Sequence, residues 1–176
     1  MHINKSIINN IKTYINSKMI SFKSRSLKTL AYSLYIVLLD QVSKFLVLST
    51  LGFERSKNII PNLLNFTLVK NKGAAFSLFS NSTNYLTITS FIASLLLITI
   101  ILKSPPKSYW NFIGLAYLLG GTVGNGIDRL FRGYVLDFLE LVPINFPIFN
   151  IADVSINIAI ICFIIDIAKD KSRVKY

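Results

Sequence analysis

The sequence predicts an all-α membrane protein with four transmembrane helices and a small extracytoplasmic β-rich element between the first and second helices. Of its 176 residues, 52% are hydrophobic and only 15% are charged, a balance that is unusual for a soluble domain. Four apolar segments approach the roughly 20 residues that a helix needs to cross a bilayer core about 30 Å thick. Lysine and arginine occur in short blocks beside these segments, as membrane topology requires.

The four predicted spans cover residues 30–51, 85–102, 109–127 and 151–168. The second and third contain no charged residue, and the Pro105-Pro106 pair between them enforces a short non-helical connection. The first span is too long for the apolar region of a signal peptide, and no small-residue cleavage pattern follows it. We therefore expect it to be a retained anchor.

The distribution of cations predicts how the chain is oriented. Six Lys and Arg residues precede the first span, two lie between the second and third, and four follow the fourth. Four crossings place all twelve on one side, which the positive-inside rule assigns to the cytoplasm. We expect a basic cytoplasmic tail over residues 1–28, one transmembrane domain over 29–170 and a cytoplasmic tail over 171–176. The segments 52–84 and 128–150 then face outward.

The first outward segment contains the predicted β-rich element. Residues 65–69 read Asn-Phe-Thr-Leu-Val, which favours a strand, and the turn-forming Asn71-Lys72-Gly73 follows. We expect a short sheet resting on the outer membrane surface.

Composition also excludes several kinds of chemistry. The net charge is +11, but the cations form no stripe interleaved with exposed aromatics, so nucleic-acid binding is not expected. The single cysteine, Cys162, rules out an internal disulfide, and the single histidine is His2. A zinc or transition-metal cluster of nitrogen and sulfur ligands is therefore not expected. Chemistry must come from carboxylates, hydroxyls, amides, Lys and Arg.

Ionisable residues within spans are costly and predict either function or pairing. Asp40 and Lys44 lie one helical turn apart in the first span, so we expect them to pair and support the fold. In the third span, small residues four apart over 120–126 allow another helix to approach closely. Asn125 and Asp128 share a face at its outer end. Taken alone, Asp128 and Arg129 would be read as an interfacial ion pair.

Two further carboxylates are placed where a site is expected. Asp137 lies between apolar residues of the second outward segment, and Asp153 opens the fourth span. Asn150, Asp153 and Asn157 project from one helical face, which should look into the bundle or a wet cleft. Glu140 is expected to be a solvated loop charge, and Asp166 a residue of the inner interface.

Five ordered pieces of the sequence together resemble the signal peptidase II family, also called lipoprotein signal peptidases. They are Asp40-x-x-Ser43-Lys44, Asn71-x-Gly73-Ala74-Ala75-Phe76, Gly124-Asn125-x-x-Asp128-Arg129, Val135-x-Asp137-Phe138 and Asn150-x-Ala152-Asp153. Their order, spacing and topology agree with that family from Asp40 to Asn157. The chain departs from the pattern at Ser43, where Thr is frequent, and at Gly126, where a bulkier residue is usual.

The resemblance implies an aspartic endopeptidase of the bacterial cytoplasmic membrane, active near its outer face. Such an enzyme removes the signal peptide from diacylglyceryl-modified prolipoproteins just before the lipidated cysteine. The implied partners are prolipoproteins and membrane lipid, with no cofactor, metal, nucleic acid or obligate protein partner.

The resemblance also assigns site residues. Asp137 and Asp153 match the catalytic pair, while Asp40 and Lys44 match a structural motif. The residues implied to bind substrate or support the site are Asn71, Gly73, Phe76, Gly124, Asn125, Asp128, Arg129, Asn150 and Ala152. Two carboxylates held close in a partly desolvated site share a proton, so one can act as a base and the other as an acid. The loop around Asn71 and Phe76 is expected to clamp the substrate from above.

Three alternatives remain open at this point. A Ser-Lys protease would use Lys44 as its base, although the adjacent Ser43 points away from it on a helix. A proton-coupled transporter would use Asp40, Asp137 and Asp153 as a relay, although four spans without inverted repeats are a poor transporter architecture. A catalytically silent relative would keep the fold without the activity.

Overall fold

The computed structural model describes residues 5–53, 55–73, 83–144 and 146–173. That part of the chain contains four long helices and a small antiparallel sheet of three strands. The elements are α1 Lys5–Leu51, β1 Ser56–Ile60, β2 Leu64–Asn71, α2 Thr83–Lys103, α3 Tyr109–Arg132, β3 Val135–Leu141 and α4 Ile151–Arg173. The predicted class, a mostly helical membrane protein with a small β element, is confirmed.

Helix α1 is longer than the predicted first span. It runs without interruption from Lys5 to Leu51, so the segment expected to be a basic tail continues the same helix. The reason lies in composition, because no glycine or proline occurs between these two residues. The helix ends where Gly52 adopts a left-handed backbone with φ of 74°, a conformation that glycine adopts without strain.

Three helices in the described ranges are long and apolar enough to cross a membrane: Asn16–Leu51, Thr83–Lys103 and Ile151–Asp170. Helix α3 was predicted as a further span but is not among them. It packs against each of the other three helices and buries small and polar residues, including Gly120, Gly124 and Asn125. Its low hydropathy is therefore explained by a position at the centre of the bundle, and the four-span count stays a prediction.

Close approach of backbones holds α3 in this central position. A Cβ atom added at Gly120 would lie 2.6 Å from the Ile36 side chain of α1. One added at Gly121 would lie 2.5 Å from the backbone oxygen of Ala152 on α4. The small residues identified in the sequence thus face two different helices at contact distance.

The sheet has the order β1-β2-β3, with both pairs antiparallel. Here the prediction was wrong in one respect, because the β element is not confined to the segment between the first two helices. The third strand, Val135–Leu141, comes from the segment between α3 and α4 and carries Asp137. A run of seven residues, five of them apolar, between Gly133 and Pro143 was the signal that could have predicted it.

One face of the sheet packs on the C-terminal end of α1. Leu136 and Phe138 of β3 join Leu68 of β2 and Val47 of α1 in a buried apolar cluster. Because successive side chains of a strand point to opposite faces, Asp137 is turned away from this cluster. The packing of its two neighbours therefore fixes the direction of the carboxylate.

Gly121→Ala is predicted to destabilise the protein, because its new methyl group would overlap the backbone of α4, which cannot rotate away. Overpacking of this kind costs about 1–3 kcal/mol, so the thermal unfolding temperature in detergent should fall by several degrees. Gly126→Ala is the matched control on the same helix, since its Cβ would meet only the Ser90 side chain at 3.3 Å. Equal unfolding temperatures for the two variants would contradict the close packing of α3 on α4.

Candidate active site

A cavity of about 750 Å³ lies where the sheet meets the ends of α3 and α4. Both Asp137 and Asp153 line it. Its lining also includes Asn71 and Gly73 at the end of β2, Asn125 and Arg129 of α3, Ile156 and Asn157 of α4, and the segment from Phe146 to Phe149. Residues far apart in the chain are thus gathered around one space.

Asp137 is almost completely buried, with 2% of its surface exposed. Its Oδ1 accepts a hydrogen bond from Asn150 Nδ2 at 2.6 Å, and its Oδ2 accepts one from Asn71 Nδ2 at 2.8 Å. Asn71 pairs with Val135 across the sheet, and its own Oδ1 accepts from the backbone N of Gly73 at 2.9 Å. The sheet therefore positions both the carboxylate and one of its donors.

Asp153 lies in the first turn of α4 and is half-buried. Its Oδ1 accepts from Asn125 Nδ2 at 2.8 Å, and its Oδ2 accepts from the backbone N of Asn150 at 3.1 Å. In return, Asn150 Oδ1 accepts from the backbone N of Asp153 at 3.0 Å. This reciprocal arrangement resembles a capping box, and it places a carboxylate at the positive end of a helix.

Two amides connect the carboxylates to each other. Asn150 Nδ2 donates both to Asp137 Oδ1 and to Asn125 Oδ1, the latter at 3.0 Å. Asn125 then donates to Asp153, so two side-chain amides link one carboxylate to the other. The structure thus brings together four of the residues that the sequence singled out.

The environment of Asp137 changes its protonation near neutral pH. Burial is the largest cause, and together with the neighbouring charge of Asp153 it raises the pKa of the carboxyl group from 3.8 to about 7. Hydrogen bonds from Asn71 and Asn150 act in the opposite direction. Desolvation is the larger effect, so this carboxyl group gains or loses its proton in the physiological range.

A buried ion network lies behind the two amides. Lys44 is fully buried, and its Nζ contacts Asp40 Oδ2 at 2.8 Å, Asp128 Oδ2 at 2.8 Å and Asn125 Oδ1 at 3.1 Å. Asp40 Oδ1 also accepts from the backbone N of Ala152 at 2.9 Å. The network joins α1, α3 and the start of α4 at one point.

Asp128 does not form the local pair with Arg129 that its position in the sequence suggested. It is fully buried and pairs with Lys44 and with Arg132, and its Oδ2 accepts from the backbone N of Leu136. Arg129 instead lines the cavity, where its Nη2 lies 3.5 Å from the carbonyl oxygen of Gly73. The role of Arg132 was missed, although its spacing of four from Asp128 was a readable signal.

Gly124 and Ala152 belong to the packing behind the site. A Cβ at Gly124 would lie 2.7 Å from Asp40 Oδ2 and 3.3 Å from the Cβ of Ala152, which is fully buried. Any larger residue at Gly124 would displace Asp40. Phe76, which was expected to clamp a substrate, lies outside the described residues.

The wall formed by residues 146–149 was not anticipated from the sequence. Phe149 N donates to Leu139 O at 3.1 Å, and its carbonyl oxygen accepts from Phe138 and Leu139, so the segment follows the edge of β3. Phe146 and Phe149 are in edge-to-face contact. Irregular segments have no periodicity, so only the long-range pairing could have placed this wall.

The contacts of Ser43 disfavour the Ser-Lys alternative. Its Oγ donates to the carbonyl oxygen of Asp40 at 2.7 Å, and Lys44 is committed to the buried network. Neither residue is among those lining the cavity. A relay through Asp40 is disfavoured for the same reason, since that carboxylate is fully buried against Lys44 and Ala152.

The fold and the site define a multi-pass membrane enzyme with a paired-carboxylate cavity. Two solved structures, both of a bacterial membrane enzyme studied by the in meso method, are similar to this chain. One matches with a TM-score of 0.77 and 32% identity over 83% of this chain and 90% of the other. The second has a TM-score of 0.73 and 32% identity, over 81% and 94%.

The sequence comparisons agree. Residues 32–169 match the family model described as Signal peptidase (SPase) II. A lipoprotein signal peptidase of Parasynechococcus marenigrum is 44% identical over 141 residues, covering 80% of this chain and 89% of the relative. One from Enterococcus faecalis is 37% identical over 143 residues, covering 81% and 89%. The chain belongs to the signal peptidase II family and is therefore a membrane protease.

The raised pKa of Asp137 predicts how stability depends on pH. The folded protein holds a proton that the unfolded chain releases as the pH rises from the ordinary pKa of 3.8 towards about 7. The bound proton stabilises the folded protein fully at pH values below that range. As the pH rises through the range this stabilisation is lost, so the free energy of unfolding should fall. The unfolding temperature of the parent should therefore drop by several degrees between pH 5 and pH 8.

Asp137→Asn should remove most of that drop, because its side chain does not titrate. Glu140→Gln, on the same strand, is the control and should keep the dependence of the parent. Thermal unfolding in one detergent across the pH range measures all three proteins. A drop of the same size in Asp137→Asn would show that another group is responsible.

Proposed function

We propose that this protein is an aspartic endopeptidase that removes signal peptides from diacylglyceryl-modified prolipoproteins, cleaving just before the lipidated cysteine. The observation that carries the proposal is the cavity in which Asp137 and Asp153, from a strand and a helix, are linked through Asn150 and Asn125. Family membership supports the reaction, since relatives of this chain are named lipoprotein signal peptidases.

The environments of the two carboxyl groups support different starting roles. Asp137 is buried with a raised pKa, so it is the member that carries the shared proton. Asp153 accepts two hydrogen bonds at the positive end of α4, an arrangement that stabilises a carboxylate. Asp153 is therefore the base and Asp137 the acid at the start of turnover.

The reaction follows from these roles. Asp153 removes a proton from a water molecule, whose oxygen attacks the scissile carbonyl carbon. Asp137 donates a hydrogen bond to the carbonyl oxygen as negative charge develops there. Collapse of the tetrahedral intermediate breaks the carbon–nitrogen bond, and the proton taken up by Asp153 passes to the leaving amine. The pair ends with one proton, as it began.

The membrane arrangement is part of the proposal. We place both termini and the α2–α3 turn in the cytoplasm of a bacterial cell, with α3 crossing as the third of four spans. The sheet, the end of α3 and the start of α4 then lie at the outer face. Lys103 at the end of α2 and the basic residues after the fourth span lie at the opposite face, which supports this orientation.

This location suits the proposed substrate. An apolar signal helix and a diacylglyceryl group both partition into lipid, so a cavity at the interface meets the scissile bond without extracting either. The expected clamp by Phe76 remains a prediction.

The direct test is cleavage of a diacylglyceryl-modified prolipoprotein by the purified protein in lipid or detergent. Asp137→Asn and Asp153→Asn should each reduce kcat by about 100- to 10,000-fold, the range for loss of a general acid or base. Glu140→Gln on the same strand as Asp137 and Asp166→Asn on the same helix as Asp153 are matched controls. Both should keep activity within about twofold of the parent.

Near-parental cleavage by a correctly folded Asp137→Asn or Asp153→Asn protein would rule out the paired-carboxylate mechanism. Absence of cleavage by the parent in several lipid compositions would instead favour a catalytically silent relative.

The rate should also depend on pH. Because Asp137 loses its proton near pH 7, kcat/KM should fall as the pH rises through that value. Asn71→Ala removes a hydrogen bond that favours the ionised form, so its alkaline limb should move to higher pH. Profiles from pH 5 to 9, corrected for enzyme stability, provide the measurement. Identical limbs in the parent and Asn71→Ala would count against Asp137 as the titrating group.

A further inference from the structure

Asn157 is a polar side chain of the cavity that the mechanism above does not use. It lies four residues after Asp153 on α4, so it occupies the same helical face one turn further on. It lines the cavity and is exposed. No hydrogen bond joins its amide to any other described residue.

The other asparagine side chains that line the cavity already have hydrogen-bond partners. Asn71 donates to Asp137 and accepts from Gly73, while Asn125 donates to Asp153 and accepts from Lys44. Their hydrogen-bonding capacity is used in holding the two carboxylates. Asn157 keeps two donors and an acceptor available to whatever enters the cavity.

The residues that follow Asn157 on the same face of α4 indicate what kind of ligand enters the cavity. Continuing along its face at three- and four-residue spacing, the next residues are Ile160, Ile161 and Ile164, which are 49%, 56% and 61% exposed. They belong to the candidate membrane span Ile151–Asp170. Asn157 therefore stands between an apolar, lipid-facing surface and the carboxylate of Asp153. An amide that has no partner among the described residues is unfavourable in that position unless another polar group binds it.

We propose that Asn157 binds the peptide backbone of the substrate on the signal-peptide side of the scissile bond. The inference rests on the function proposed above. A chain that enters from the hydrocarbon along α4 passes Asn157 before it reaches Asp153. Near the scissile bond it must leave the helical conformation, which leaves N–H and C=O groups without their helical partners. A side-chain amide carries the donor and acceptor that such a peptide group lacks.

The first test compares Asn157→Leu and Asn157→Ala with the parent on a diacylglyceryl-modified prolipoprotein peptide. Loss of one neutral hydrogen bond should lower kcat/KM by about two- to tenfold. Ser155→Ala is the matched control, because its hydroxyl is buried and bonds only to the carbonyl oxygen of Ile151 at 2.8 Å in the same helix. It should retain the parental kcat/KM. Unchanged kcat/KM in both Asn157 variants would overturn the inference.

The second test identifies the contact itself. Substrates in which one backbone amide at a time is replaced by an ester, at successive positions before the scissile bond, remove single N–H groups and weaken single carbonyl acceptors. One of them should lower kcat/KM for the parent but have little further effect on Asn157→Leu, as expected for a double-mutant cycle across a direct contact. Equal losses in parent and variant at every position would show that Asn157 does not bind the backbone.

The outcomes also separate this inference from the proposed function. If the parent fails to cleave the diacylglyceryl-modified substrate that has no ester replacement, the proposed function is wrong. If the parent cleaves it and the Asn157 variants cleave it equally well, only the role of Asn157 is wrong.

Discussion

The structure depends on one buried ammonium group. Lys44 is surrounded by the carboxylates of Asp40 and Asp128 and by the amide oxygen of Asn125, so each of its three N–H groups has an acceptor. Asp40 also binds the first turn of α4 through the backbone N of Ala152. Removing the lysine would break two buried ion pairs, and a single broken pair of this kind typically costs about 3–5 kcal/mol. Three helices are thus fixed relative to one another by one charge.

The consequences of that charge extend to the cavity. Lys44 and Asn150 both donate to Asn125 Oδ1, which fixes the orientation of the Asn125 amide. Its Nδ2 is then directed at Asp153. Because Asn150 donates to Asp137 as well, the position of both carboxylates follows from the same network. The two carboxylates are positioned by elements that meet at the buried Lys44 network, since neither carboxylate is held by its own strand or helix alone.

Much of this arrangement could be predicted from the sequence, for a physical reason. Asp40 and Lys44, or Asn150 and Asp153, are close in the chain, and helical periodicity alone places each pair on one face. The lengths of the apolar segments and the blocks of Lys and Arg beside them predicted a membrane protein. The start of the fourth span also followed from local signals, because the helix does begin at Ile151.

What could not be predicted depends on contacts between distant segments. β3 forms a strand because it pairs with the edge of β2. The segment 146–149 in turn pairs with β3 only because that strand has formed. Residues 135–141 were predicted only as part of an outward segment, because their partner strand is distant in the chain. The pairing of Lys44 with Asp128 likewise required the packed helices. The hydropathy of α3 did not decide whether this helix crosses the membrane, because its small and polar residues face other helices.

The surroundings of the two carboxylates also explain why neutral amides, and not cations, bind them directly. Among the described residues, Asp137 and Asp153 accept hydrogen bonds only from asparagine side chains and backbone groups. A lysine or arginine bonded to either one would favour ionisation of both and remove the proton that the pair shares. Lys44 contributes its charge one amide further away, where it orders the network while the burial of Asp137 still dominates its pKa. The same separation lets the bundle keep a permanent charge in its interior and a titratable pair at its edge.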